Sequence, residues 1–156
     1  MSHDNTVSAR KNIGSGSPLE PRIGFSRAVR KGSHIAVAGT APIADDGTTA
    51  GIGDVHAQTA RCIDIAETAL RAAGASLGDV VRTRIMLTDI TTWKAAAQAH
   101  GERFADVRPV TTFVEVSRFI DPDWLVEIEV DAILDQTDQT DQTDQTDQAD
   151  QTDQAD

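Results

Sequence analysis

The chain of 156 residues has little of what ties a protein to disulfides, nucleic acids or membranes. Its one cysteine, Cys62, excludes a disulfide within the chain and a cysteine-rich metal site. It has four phenylalanines, two tryptophans and no tyrosine, fewer aromatic side chains than base-stacking surfaces usually need. An apolar run such as residues 35–38 is far shorter than the roughly 20 residues of a membrane helix. We therefore expect a cytoplasmic protein without metal or cofactor that binds neither nucleic acid nor membranes.

Negative charge is concentrated at the end of the chain. The formal net charge is −11, and residues 135–156, a repeat of Asp, Gln and Thr or Ala, contain eight aspartates and no basic residue. The first 134 residues therefore carry only −3, with no basic footprint for nucleic acid. The repeat has no aliphatic side chain larger than alanine to bury, so we predict a disordered acidic tail. The polar, Gly- and Ser-containing residues 1–20 predict a flexible head, which leaves one domain over residues 21–134.

The middle of the chain predicts an α+β domain of order β-β-α-β-α-β-β. Strands are predicted where apolar and polar residues alternate, over residues 22–30, 34–40, 81–88, 111–116 and 125–134. Helices are predicted where apolar residues recur every three or four positions, from an N-cap at Asp54 to a C-cap at Gly74, and over residues 93–104. This alternation favours helices packed on one face of a sheet.

The last predicted strand has one apolar and one acidic face. Its even positions from 126 to 132 are apolar, whereas Glu127, Glu129 and Asp131 alternate with them and point to the other face. The apolar face can cover the helices. The acidic face is solvated in a lone domain, or meets hydrogen-bond donors of a partner if sheets pack together in an oligomer.

Several short motifs, spread in order over residues 22–134, resemble the RidA/YjgF family. They are FSRAV at 25–29, VAGTAP at 37–42, AGASLGDVV at 73–81, LTD at 87–89, VEV at 114–116 and LVEIE at 125–129. The resemblance implies a chorismate-mutase-like fold and a homotrimer with the sheets in a barrel, the helices outside and ligand clefts between subunits. It also implies hydrolysis of reactive enamines and imines to a 2-oxo acid and ammonia.

The site implied by the resemblance is altered at most of its positions. The family's arginine, implied to bind the substrate carboxylate, is Thr111 here, and its tyrosine is Phe25. Other family residues are replaced as follows: a serine by Ala38, an asparagine by Ala97 or a neighbour, and a cysteine by Phe113. The glutamate of the last strand, implied to position the attacking water, is retained as Glu127.

The retained glutamate, the substituted positions and the arginines near them give the candidate site residues. Glu127 is the catalytic candidate, and the alternative is an interface carboxylate paired with an arginine of the next subunit. The substrate-binding candidates are Thr111, Arg108, Thr40, Phe25 and Arg27. Among these, Arg108 and Arg27 are the cations that could replace the missing guanidinium, which suits carboxylates because of its bidentate fork.

Two functions remain open from the sequence. The first is a RidA-like deaminase of small enamine, imine or carbonyl metabolites. The second is a non-catalytic protein that binds a small metabolite or a protein partner in the same clefts, because threonine can donate a hydrogen bond but cannot supply charge. A ribonuclease, suggested by a family label, is disfavoured by the acidic body, since RNA affinity depends on phosphate contacts.

Overall fold

Six strands and three α-helices make up residues 9–135, the part of the chain that the computed structural model describes. The strands are Arg10–Ile13 (β1), Ala28–Lys31 (β2), His34–Thr40 (β3), Val80–Leu87 (β4), Val110–Glu115 (β5) and Val126–Ile133 (β6). The helices are Leu19–Ile23 (α1), Val55–Ala72 (α2) and Trp93–Phe104 (α3). The strands form one sheet of order β1-β2-β3-β6-β4-β5, parallel between β4 and β5 and antiparallel elsewhere. The predicted α+β class, with the main helices on one face, is confirmed.

The core lies between this sheet and the two long helices. The apolar positions of β6 are buried, with Val126 and Ile128 fully inaccessible, and they share one cluster with Ile63 and Leu70 of α2. The acidic residues of β6 alternate with them on the other face, as predicted. We call that other face the open face, because neither α2 nor α3 covers it.

The ends of α2 follow the predicted capping chemistry. Asp54 accepts a hydrogen bond from the Ala57 backbone N–H at 3.0 Å, which satisfies one of the unpaired N–H groups of the first turn. Gly74 follows the helix at φ +87°, a left-handed conformation that costs glycine little. The C-cap is Ala73, one residue before the predicted Gly74, so the N-cap is as predicted and the C-terminal end differs by one residue.

The N-terminal part differs from the prediction. The strand predicted over residues 22–30 is replaced by α1 and the shorter β2, and β1 lies inside the predicted head. Only Ile13 of β1 is buried, so this edge strand lacks the alternation that identifies strands. Helix α1 has no buried residue and therefore no apolar stripe. Residues 1–8 of the predicted head and 136–156 of the predicted tail lie outside the described residues.

Strand β4 contains a bulge that shifts its predicted faces. Val80 pairs with Ala132 and Arg82 with Asp131, so Val81 is an extra residue. The prediction placed Val81 on one face with Thr83, but Val81 is 42% exposed and Val80 is buried instead. From Thr83 onward, the predicted alternation holds.

Candidate functional site

The three carboxylates on the open face of β6 have different cross-strand neighbours on β4. Glu129 lies opposite Arg84, and the two form an ion pair. Asp131 lies opposite Arg82, whose Nε is 3.8 Å from its carboxylate. Glu127, in contrast, lies opposite the apolar Met86 and has no ion pair within residues 9–135. One acid of the three is therefore free to act on a ligand.

The surroundings of Glu127 favour its protonated form. The side chain is partly buried, and this desolvation raises the pKa of its carboxyl above the ordinary value. The negative charge of Glu129 acts in the same direction, whereas the positive charge of Arg27 opposes it. A carboxyl with a raised pKa is a better proton acceptor than an ordinary glutamate once it is ionised.

A second bulge, in β3, makes room for this carboxyl. Val37 pairs with Val130 and Thr40 with Ile128, so Ala38 and Gly39 together lie opposite one residue of β6. A Cβ atom at Gly39 would come within 3.0 Å of Glu127 Oε2, closer than ordinary van der Waals contact. Glycine at this position therefore allows the backbone to approach the Glu127 carboxyl closely.

Arg27, just before β2, is fixed next to this bulge. Its Nη1 donates to Gly39 O at 3.2 Å and to Thr40 Oγ1 at 2.9 Å. The buried Thr40 hydroxyl in turn donates to Ala38 O at 2.7 Å. Burial lowers the pKa of Arg27, and the carboxylates of Glu20 and Glu127 counteract this effect. An arginine stays charged even so, and a cation is therefore held beside Glu127.

Phe25 lines a cavity whose lining residues do not include Glu127. This cavity of about 530 Å³ lies among α1, β1 and β2, and its lining includes Arg10, Asn12 and Glu20. Its volume is within the range of small-molecule pockets. Glu20 links this cavity to the surroundings of Arg27, because it lines the cavity and its charge acts on Arg27.

Thr111 faces the helices instead of the open face. Its hydroxyl donates to Pro109 O at 3.1 Å and lies 2.9 Å from the buried Thr83 hydroxyl. Thr83 also lies 2.9 Å from His100 Nε2 on α3. Since Thr111 donates its proton to Pro109, Thr83 donates to Thr111 and accepts from His100. The chain of hydrogen bonds joins β4, β5 and α3 on the face opposite Glu127.

Arg108 lies at the other end of the sheet. It is exposed in the turn between α3 and β5, at φ +54°. It precedes Val110, which pairs with Arg82, whereas Glu127 pairs with Met86. Arg82 and Met86 are four residues apart along β4, so Arg108 and Glu127 lie far apart along the strands within a single chain.

The structure therefore brings together part of the predicted set. Glu127, Arg27 and Thr40 form one group, and Phe25 lines the adjacent cavity. Thr111 and Arg108 lie apart from them in the single chain. The sequence did not predict Gly39 and Glu20 as members of the candidate site. A glycine inside a strand pattern signals a bulge or a close approach, but the position of Glu20 in the predicted head gave no signal.

Within residues 9–135, no three side chains of the His, Cys, Asp and Glu types come together as a metal site would require. In the same part of the chain, no helix combines the length and the apolar character of a membrane span. His100 stacks on Phe104 with ring centroids 4.6 Å apart, and burial lowers the pKa of its imidazole, which favours the neutral form.

Comparisons with known proteins agree on one family. A family model described as endoribonuclease L-PSP matches residues 16–134. An uncharacterized protein of Streptomyces coelicolor is 40% identical over 127 residues, which are 81% of this chain and 94% of that protein. The 3-aminoacrylate deaminase RutC of Acinetobacter baylyi is 31% identical over 115 residues, 74% of this chain and 88% of that protein. A crystal structure of a YjgF/YER057c/UK114 family member from Mycobacterium tuberculosis is 45% identical, has a TM-score of 0.73, and is matched over 81% of this chain and 100% of its own.

Proposed function

Because this chain belongs to the endoribonuclease L-PSP family of RidA/YjgF proteins, we propose that it hydrolyses reactive enamines, imines or related small carbonyl metabolites. The products would be a 2-oxo acid and ammonia, and the reaction would take place in the cytoplasm. The observation that carries this proposal is the unpaired Glu127, whose partly buried carboxyl has a raised pKa. The name of the Acinetobacter baylyi relative, 3-aminoacrylate deaminase, supports the same class of reaction.

Glu127 would act on water in this mechanism. An enamine first takes up a proton from solvent on carbon and becomes an iminium ion, the protonated form of an imine. The Glu127 carboxylate then accepts a proton from a water molecule as the water oxygen bonds to the imine carbon. The resulting carbinolamine receives that proton on nitrogen. The C–N bond then breaks to release ammonia while the Glu127 carboxylate takes the hydroxyl proton, which leaves a carbonyl, and Glu127 returns that proton to solvent. The overall change consumes one water and needs no cofactor.

The other residues of the group would hold the substrate. Arg27 supplies a fixed positive charge, Thr40 holds Arg27 in place, and Phe25 provides an apolar wall in the adjacent cavity. Thr111 and Arg108 stay predictions, because they could reach this group only from a neighbouring subunit.

We propose a homotrimer in which the open faces pack together. Exposed Val110 and Val114 of β5 lie on that face, and such apolar surface is more stable when it is covered. Light scattering on the full chain should give a mass of three times 16.7 kDa. A monomer mass would remove the proposed clefts, and with them any role for Thr111 and Arg108 in binding.

The proposed reaction is tested by competition with semicarbazide. An amino-acid oxidase generates short 2-imino acids, and the trap and the protein compete for them. We expect the wild type to lower semicarbazone formation and Glu127→Gln to lose this effect at least a hundredfold, since general base catalysis contributes about 10²–10⁴ in rate. Glu129→Gln is the matched control on the same strand and should keep the activity. Equal activity of Glu127→Gln and wild type would contradict the mechanism.

A specific observation favours the alternative of a non-catalytic binding protein. Thr111, at the position of the family's implied arginine, faces the helices and supplies no charge to the open face. This alternative predicts that the chain binds a 2-oxo acid but leaves semicarbazone formation unchanged. Turnover that depends on Glu127 would exclude it.

A further inference from the structure

The edge of the sheet formed by β1 and β2 carries four basic side chains and no acidic one. Arg10 lies opposite Lys31, and Lys11 lies opposite Arg30. Like charges directly opposite each other on neighbouring strands are unfavourable. None of the four forms an ion pair within residues 9–135, whereas five arginines elsewhere in that range do. We call these four residues the basic edge, and an anionic partner would offset their mutual repulsion.

The two faces of the basic edge have different surroundings. Lys11 Nζ and Arg30 Nη1 donate, at 2.8 and 2.9 Å, to two carbonyl oxygens at the C-terminal end of α2. Cations are favourable at that end of a helix, so these two residues have a structural task. Arg10 and Lys31 alternate with them along β1 and β2, lie on the other face of the sheet, and are exposed. They are therefore the cations of the basic edge that an anion can reach.

The acidic repeat of residues 135–156 begins beside these two cations. Ile133, the last residue of β6, lies opposite His34 of β3. His34 lies opposite Lys31, and Lys31 lies opposite Arg10, so the four residues form a row across the end of the sheet. Three strand spacings of about 4.8 Å place Arg10 about 14 Å from Ile133. A chain spans up to about 3.3 Å per residue, so about five residues of the repeat are enough to reach Arg10.

The distribution of charge favours contact between the acidic repeat and the basic edge. The repeat has eight aspartates and no basic residue, and the first 134 residues carry −3, so the body as a whole repels it. The basic edge is a local exception at the point where the repeat begins. Asp131, the carboxylate next to this row, lies 3.9 Å from His34 Nε2 and 3.8 Å from Arg82 Nε, which oppose its charge. Strands β1 and β2 are also at the opposite edge of the sheet from β5, whose exposed valines favour the proposed trimer.

We propose that the acidic repeat of residues 135–156 docks on Arg10 and Lys31 of its own chain. The repeat would then shield the like-charge pairs of the basic edge and compete with any other anionic partner for them. The inference is independent of the proposed deaminase, because it involves neither Glu127 nor a substrate.

A spin label on the acidic repeat of the full chain tests this contact. Thr143→Cys carries the nitroxide, since the native Cys62 is buried and escapes labelling. A nitroxide weakens the NMR signals of nearby amides. We expect the amide signals of Arg10 and Lys31 to lose about half their intensity at low salt and to recover at about 1 M salt, where the Debye length is about 3 Å.

Further variants of the labelled chain separate charge pairing from mere proximity. Arg10→Gln combined with Lys31→Gln should abolish the loss of signal, and so should replacement of all eight aspartates of the repeat by asparagine. Lys94→Gln combined with Arg118→Gln is the matched control. It removes two other exposed cations that form no ion pair within residues 9–135, and it should keep the loss of signal.

Three results would overturn the inference. They are no loss of signal at low salt, a loss that persists unchanged at high salt, and an equal loss in the Arg10 and Lys31 double variant. A mixed sample tests whether the repeat stays on its own chain. In it, isotope-enriched chains without a nitroxide are combined with nitroxide-bearing chains of natural isotope content, and we expect little loss of signal. A loss as large as in the fully labelled sample would mean that the repeat of another copy occupies the basic edge, and would contradict docking within one chain.

Discussion

Glu127 and Glu129 are two residues apart on the same face of β6, yet their surroundings suit them to different tasks. Glu129 lies opposite Arg84 and is held in an ion pair. Glu127 lies opposite Met86, next to the bulge at Gly39, and keeps its carboxyl unpaired. The difference arises on β4, where an arginine and a methionine occupy equivalent positions.

The acidic pattern of one strand does not by itself show which carboxylates are paired. The alternation of β6 predicts three carboxylates on one face but does not distinguish them. The cross-strand neighbour on β4 decides which of them is paired, because an opposite charge in contact favours the ionised form and occupies the carboxylate oxygens. The proposed catalytic acid is the one that the neighbouring strand leaves unpaired.

Among substitutions of the neighbouring residues, the one that makes Glu127 resemble Glu129 should reduce the activity most. Met86→Arg would place a guanidinium opposite Glu127, as Arg84 is opposite Glu129. An arginine in ion-pair contact lowers the pKa of a carboxyl by about 1–3, so we expect imine hydrolysis to fall about ten- to a hundredfold. The semicarbazide assay measures this, with Met86→Leu as the control of similar size. Full activity in Met86→Arg would show that the unpaired state of Glu127 is not needed.

A smaller effect on the same acid is expected from Gly39→Ala. The added methyl group would come within 3.0 Å of Glu127 Oε2 and displace the carboxylate, and we expect about a tenfold loss of activity. Gly101→Ala, where nothing lies within 4 Å of the added methyl group, is the control. It should keep the activity and raise the free energy of unfolding by about 0.5–1 kcal/mol, because alanine favours helix. Retained activity in Gly39→Ala would show that the close approach is incidental.

The other face of the sheet shows what a structural hydroxyl contributes. Thr111→Val removes the hydrogen bonds to Thr83 and Pro109, and we expect the free energy of unfolding to fall by about 1 kcal/mol in urea titration. Thr112→Val is the control on the same strand, since the Thr112 side chain is exposed and makes no hydrogen bond within residues 9–135. Equal stability of the two variants would contradict the hydrogen-bond chain.

The smallest effect is expected where Glu129 is made to resemble Glu127. Arg84→Met removes the partner of Glu129, but the two side chains are 43% and 40% exposed, so solvent replaces much of the lost contact. Urea titration should show a loss of about 0–1 kcal/mol in the free energy of unfolding. A loss above about 2 kcal/mol would mean that this ion pair holds the sheet together.

Much of the fold was predictable because it depends on periodic burial. Helix α3 matches its predicted bounds, and the faces of β6 are as expected, since both elements pack continuously against the core. Strand β1 was missed because only Ile13 is buried and its stability comes from pairing with β2. The exposure of Val81 was missed because a bulge shifts the alternation by one residue.

Candidate site residues could be named from the sequence only where the family resemblance or the charge of a side chain pointed to them. Glu127, Arg27 and Thr40 were such candidates, and they lie near one another in the structure, while their roles stay predictions. The role of Gly39 depends on a bulge, and that of Glu20 on the fold of a segment without apolar pattern. Such contacts arise from the register and packing of distant segments, which a single sequence does not encode locally.

The pH dependence of imine hydrolysis by the wild type probes the proposed role of Glu127 without any substitution. Glu127 must be ionised to accept a proton from water, so the rate should fall as the pH drops through its pKa. Burial raises that pKa, and we therefore predict an acid limb whose midpoint lies above 4.5, the ordinary value for glutamate. A rate that stays constant down to pH 4.5, or a midpoint below it, would contradict the role of Glu127 as the unpaired, desolvated base.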